Sequence, residues 1–232
     1  WYSRISNNKN MENYHLQENV DYTFLTTQEA ISIFADVDYA LKSGRHIQKC
    51  PSQGKLFAFI KRYYDQLKSY YDNLFGIHLN SEGEGELEYF FIDFFKDRNG
   101  YYQRGNIPVE NREYLAESHL IIAFLLIRMY VLEPRVEKRI LIQDFKIQVL
   151  SEYEEYKPHL LRLFAKSEDT KETDYELKSI EDEIEKALKK FNELCWIMID
   201  KNTETFEIMP SLNRLLNIFE NYIINTPINY EP

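Results

Sequence analysis

Gly44, Arg45 and His46 stand side by side in ALKSGRHIQ (40–48), and Cys50 follows four positions after the histidine. An imidazole and a thiol this close could share a metal ion or serve as base and nucleophile. A guanidinium beside a glycine turn could hold an anion. Each chemistry asks for more than the neighbourhood supplies. A structural zinc site needs four ligands, and a thiol nucleophile needs a third group to orient its base. The other histidines, His15, His78, His119 and His159, are isolated, and Cys195 lies far along the chain. The glycine stretch SEGEGE (81–86) is too acidic to cradle phosphate and lacks a following Lys-Ser/Thr pair. Carboxylate runs such as Glu152/Glu154/Glu155 and Glu181/Asp182/Glu183/Glu185 read as solvated helix faces. No catalytic, metal or cofactor residue is assigned, and the expectation is a protein that is not an enzyme and needs no cofactor.

One basic cluster carries a second possibility. Lys186, Lys189 and Lys190 lie on a predicted helix just before a predicted hairpin. In a winged helix that is the element entering a DNA groove, and lysines there would position phosphates rather than read bases. The competing reading is local: lysines near a helix C-terminus complement its dipole and pair with Asp182 or Glu185 one turn earlier.

The elements that would carry these groups follow from composition and periodicity. Of 232 residues, 44% are hydrophobic and 28% charged, which suits a folded chain. Only seven Gly and seven Pro favour long helices over turn-rich sheets, and eighteen Tyr and fifteen Phe suit amphipathic helices and protein interfaces. A net charge of -10 argues against binding nucleic acid through the whole surface. Two distant cysteines form no disulfide framework, so a reducing, cytoplasmic compartment is expected. The longest apolar run, Leu120 to Ile127, is too short to span a bilayer, and no signal peptide is seen. Met11 opens MENYHLQ as a candidate natural start, setting residues 1–10 apart.

Thr26 or Thr27 can cap a helix whose stripe is Ile31, Phe34, Val37 and Leu41, ending at Gly44, with Ile47 opening a short strand. Ser52 can cap a second helix to Phe75 on the stripe Phe59, Tyr63, Leu67, Tyr70 and Leu74. IHLN (77–80), a glycine turn and LEYFFIDFF (87–95) read as a hairpin. A polar linker spans 97–106. Beyond it the spacing predicts a buried helix near 112–132, a helix over 136–150, a charged loop near 166–173 and a helix over 175–194. A second hairpin (195–200 and 205–210) and a last helix capped by Ser211 complete the pattern. The expected fold is mainly α with short β-hairpins (α+β), as two tandem winged-helix domains. The boundaries are an N-terminal extension over 1–26, first domain 27–106, second domain 107–224 and a loose tail over 225–232.

IFADVDYALKSGRHIQ (33–48) resembles the N-terminal signature of the MukE/MksE proteins, the kleisin-interacting tandem winged-helix subunits of bacterial SMC-type condensins. Similarity continues through FAFIKRYYDQLKSYYDNLFGIHL, YFFIDF, NIP, LIIAFLLIRMY and LCWIMIDKNTETFEIMPSLNRLL, covering about residues 27–222. Residues 136–173 match poorly, and no long tail follows the last helix. The resemblance implies a non-catalytic accessory subunit that homodimerises, clasps a MukF/MksF-like kleisin and reaches a MukB/MksB-like SMC ATPase through the complex. It further implies a role in chromosome organisation or segregation, nucleoid association, DNA contact only within the assembly and no membrane. Leu41, Gly44, Arg45, His46 and Ile47 become the family signature and candidate partner contacts. Lys186, Lys189 and Lys190 remain candidate phosphate contacts. Two alternatives stay open: a Wadjet-type plasmid-defence subunit and a winged-helix transcription regulator.

Overall fold

Thr27 accepts a hydrogen bond from the Ala30 N–H at 3.2 Å and so caps the first helix of the computed structural model. The structure describes residues 22–103, 105–108, 114–129, 139–151 and 174–225. The first half runs α1 (Gln28–Lys42), β1 (Ile47–Gln48), α2 (Gly54–Arg62), α3 (Tyr64–Phe75), β2 (Ile77–Glu82) and β3 (Tyr89–Phe94). The second runs α4 (Glu117–Ile127), β4 (Arg139–Leu141), α5 (Ile142–Ser151), α6 (Asp174–Glu193), β5 (Ile197–Asp200), β6 (Thr205–Ile208) and α7 (Asn213–Asn225).

The chain is thus mainly helical with two small antiparallel sheets, and the sheets repeat one topology. The strand order is β1-β3-β2 in the first and β4-β6-β5 in the second. In each half a short strand after the first helix pairs with the second strand of the later hairpin. Each half also closes its own core. The first gathers Val37, Leu41, Phe59, Ile60, Leu67, Tyr71 and Phe90, and the second gathers Leu126, Phe145, Ile184, Phe191 and Phe206. Burying one such side chain contributes about 2 kcal/mol.

Several expectations shift in detail. The single helix expected up to Phe75 is two, because Tyr63 leaves helical geometry at φ -113°, ψ 29°. That break resets the helical phase: α3 buries Leu67 and Tyr71, while Leu74 is 49% exposed. Gln53 rather than Ser52 precedes α2. On α1 the inner face is Ala30, Val37, Ala40 and Leu41, leaving Ile31 outside. The helix expected over 136–150 begins as strand β4, which pairs with β6 before α5 starts. Its residues 136–138, and the charged loop near 166–173, lie outside the described residues, as do 1–21 and the tail from 226. Ile107 packs into the first core, carried there by the Asn106 N–H, which donates to the Phe75 carbonyl at 2.6 Å.

Candidate functional site

Strand β3 reads YFFIDF, with no polar alternation, and the structure explains why. Successive side chains of a strand face opposite ways. Phe90, Ile92 and Phe94 pack in the first core. Tyr89 and Phe91, 2% and 3% exposed, lie on the opposite face with Asp93, where Tyr89 packs on His46 while Phe91 and Asp93 meet Arg214 of the second half. One strand is therefore a wall shared by both halves.

Two helix ends meet on that wall. At the end of α1 the Gly44 N–H donates to Leu41 and the Arg45 N–H to Ala40, each at 3.0 Å. Gly44 takes φ 79°. The same motif ends α6: the Cys195 N–H bonds Asn192 and the Trp196 N–H bonds Phe191, with Cys195 at φ 62°. Each motif satisfies its own helix, and the first then reaches across. The His46 N–H donates to the Leu194 carbonyl at 3.1 Å.

His46 is 2% exposed and ringed by Tyr89, Phe91 and Trp196. The Trp196 indole can only donate, so the His46 Nδ1 it meets at 3.2 Å is an acceptor. Arg214 on α7 brings Nη1 to 3.4 Å from Nε2, while its guanidinium lies 3.9 Å from the Phe91 ring centre and 3.4 Å from Asp93. The neutral ring therefore carries its proton on Nε2, and a second proton would have to sit on Nδ1 against the indole N–H, adding a charge beside the Arg214 cation. Burial first, and the Arg214 charge second, lower the imidazole to about 3, against a weaker opposing pull from the Leu194 backbone carbonyl. His46 is a neutral acceptor, unsuited to general-base work near pH 7.

Two glutamines finish the contact. Gln48, 1% exposed, donates through Nε2 to the Cys195 carbonyl at 2.5 Å and accepts from the Ser211 N–H at 3.3 Å. The Ser211 hydroxyl donates to the same Cys195 carbonyl at 2.7 Å. The amide of Gln53 fills every bonding position it has. Its NH2 donates to the His46 carbonyl and to Cys195 Sγ, both at 3.1 Å. Its oxygen accepts from the Gln48 N–H at 3.0 Å and from the Cys50 thiol at 3.6 Å. At the rim, Glu82 accepts from the Tyr89 hydroxyl and from Asn217 Nδ2.

Within the signature block, Leu41, His46 and Ile47 are buried inside the chain, while Gly44 and Arg45 are exposed. Arg45 borders a groove of about 750 Å3 between α1 and the start of α2, with Ile33, Tyr39, Lys55 and Leu56 along it. The lysine cluster is separate. Lys186 pairs with Glu183 at 3.1 Å, Lys190 pairs with Glu193 at 3.6 Å, and Lys189 is exposed. Lys186 and Lys189 border a second groove that also holds Asp182, Glu185 and Glu193, so its charge is mixed. Glu183 is no solvated carboxylate: it accepts from Ser118 at 3.0 Å and sits 3.3 Å from His119, tying α6 to α4. His78 pairs with Asp72 at 2.9 Å. His15 and His159 lie outside the described residues. Among the described residues, no three His, Cys, Asp or Glu side chains converge as a metal site, and no helix is long and apolar enough to cross a membrane.

Gln48, Gln53, Trp196 and Arg214 escape sequence reasoning, since each looks like an ordinary polar or aromatic residue in its own segment, and Ser211, expected to cap the last helix, gives its hydroxyl to the Cys195 carbonyl instead. One signal pointed to them. A hairpin strand with apolar residues at both parities is buried on both faces, and β3 has that pattern.

No curated protein matches the chain. A family model described as condensin complex protein MksE matches residues 32–220, a span that holds both sheets, the cap at Gly44 and every residue of the contact between the halves. By that match, over most of its length, the chain belongs to the MksE family of condensin complex proteins.

Proposed function

We propose that this chain is a non-catalytic accessory subunit of a bacterial SMC-type condensin, dimerising and binding a kleisin to support chromosome organisation or segregation. The observation that carries the reading is the MksE family match over residues 32–220. The duplicated order of helix, short strand, helices and hairpin supports assigning each half as a winged-helix domain, 27–107 and 108–224, the boundary falling one residue later than expected because Ile107 packs in the first core. In this reading the subunit works in the cytoplasm at the nucleoid, with an SMC ATPase reached through the complex. The exposed part of the signature block, Gly44 and Arg45 beside their groove, is the surface it offers a partner. DNA contact belongs to the assembly, with Lys186, Lys189 and Lys190 as phosphate contacts. A free-standing transcription regulator is less well supported, because two of these three lysines are paired to carboxylates.

Co-expression with a MukF/MksF-like kleisin tests the reading. A stable complex holding two copies of this chain is expected on size-exclusion chromatography with light scattering. A monomer that leaves the kleisin unbound refutes it.

A further inference from the structure

The chain has two cysteines, one in each half, and the fold brings both to a single amide. Cys50 sits in the turn between β1 and α2, its thiol 3.6 Å from Gln53 Oε1 and 3.3 Å from the Ser52 hydroxyl. Cys195 sits at the cap of α6, its sulfur 3.1 Å from Gln53 Nε2. Oε1 and Nε2 belong to one planar amide, so the two sulfurs bracket a single small group across the boundary between the halves. Both cysteines are part-exposed. The cap holds Cys195 at φ 62°, a backbone conformation that residues other than glycine rarely adopt.

We propose that Cys50 and Cys195 form a reversible, thiol-oxidisable pair that cross-links the two halves when a low-molecular-weight disulfide is present. The Cys50 thiolate attacks one sulfur of the small disulfide, the S–S bond breaks, and one small thiolate leaves. Cys195 then gives up its proton and attacks Cys50 Sγ, expelling the second small thiolate. Two protein thiols are oxidised, one small disulfide is reduced to two small thiols, and no other reactant is needed. Burial pushes the Cys195 thiol up, with Arg45 opposing, which leaves Cys50 to open the sequence and Cys195 to resolve it. Closing the bond requires the Gln53 amide to leave its place between the sulfurs, so oxidation also releases its contacts with His46 and Gln48.

The purified full chain, incubated with oxidised glutathione, provides the test. The expected product has lost both free thiols and two hydrogens, remains one chain on a non-reducing gel, and yields a peptide joining Cys50 to Cys195. Dithiothreitol should restore both thiols. The Cys195→Ser variant should stop at one glutathione adduct on Cys50, and Cys50→Ser should react many-fold more slowly. Two independent glutathione adducts on the unmodified chain, or cross-links between separate chains in place of the internal one, overturn the proposal. Neither outcome depends on which partner the subunit binds.

Discussion

Acidification tests the buried His46 most directly. Unfolded, its imidazole takes a proton near pH 6.5; folded, it does so only near pH 3. Between those values the unfolded chain holds one more proton than the folded one, so stability falls as pH falls. The slope approaches about 1.4 kcal/mol per pH unit, and the loss between pH 7 and pH 5 comes to about 2 kcal/mol. The contribution is fully present above pH 6.5 and disappears on the way down to pH 3. Ending the titration at pH 5 keeps it above the range of ordinary carboxylates. The comparison is His46→Asn, whose amide oxygen stands near the place of Nδ1 and can still accept from Trp196 but cannot titrate. Urea unfolding followed by tryptophan fluorescence, at one fixed protein concentration and pH 7, 6 and 5, measures both chains. The unmodified chain should lose about 2 kcal/mol over that range. The variant should start less stable yet lose far less on acidification. Equal pH slopes for the two chains would sink the assignment of His46 as a buried neutral acceptor.

Two further perturbations address other regions. Gly105→Ala places a Cβ 2.7 Å from Ile77 Cγ2 and 2.9 Å from the carbonyl oxygens of Phe75 and Gly76, at a φ of 56°. A loss of about 2–3 kcal/mol is expected, read as a lower urea midpoint; an unchanged midpoint would show that the segment does not hold the first core. Reversing the charge of Lys186, Lys189 and Lys190 together should weaken DNA binding by the assembled complex several-fold at low salt, and leave kleisin binding intact. Unchanged DNA affinity would remove those lysines as phosphate contacts.

Local order in this chain was legible in the sequence, because the forces behind it are local. Thr27 caps α1 and Gly44 ends it through backbone bonds made within a turn or two, and both hairpins declare themselves by β-branched and aromatic runs. The buried helix α4 shows in its unbroken apolar composition. Strand β4 did not show, because RIL is three residues long and its extended form is imposed by β6, far along the chain. The break at Tyr63 was equally silent, since both sides of it have good helical periodicity. The contact between the halves was least legible. His46 meets partners 150 and 168 positions away, and no window along the sequence places an indole and a guanidinium on one imidazole. Arg45 and His46 are neighbours in sequence with opposite surroundings, one exposed and the other enclosed.

The shared strand β3 changes what it would mean to take this protein apart. A cut after residue 107 looks clean, since each half has its own core and sheet. The first half would nevertheless come away with His46 and Phe91 stripped of their partners, and the second with Trp196 and Arg214 facing water. Excised halves would carry raw, adhesive faces, and their behaviour would report the wound rather than the parent. The intact chain is the smallest piece whose surfaces can be trusted.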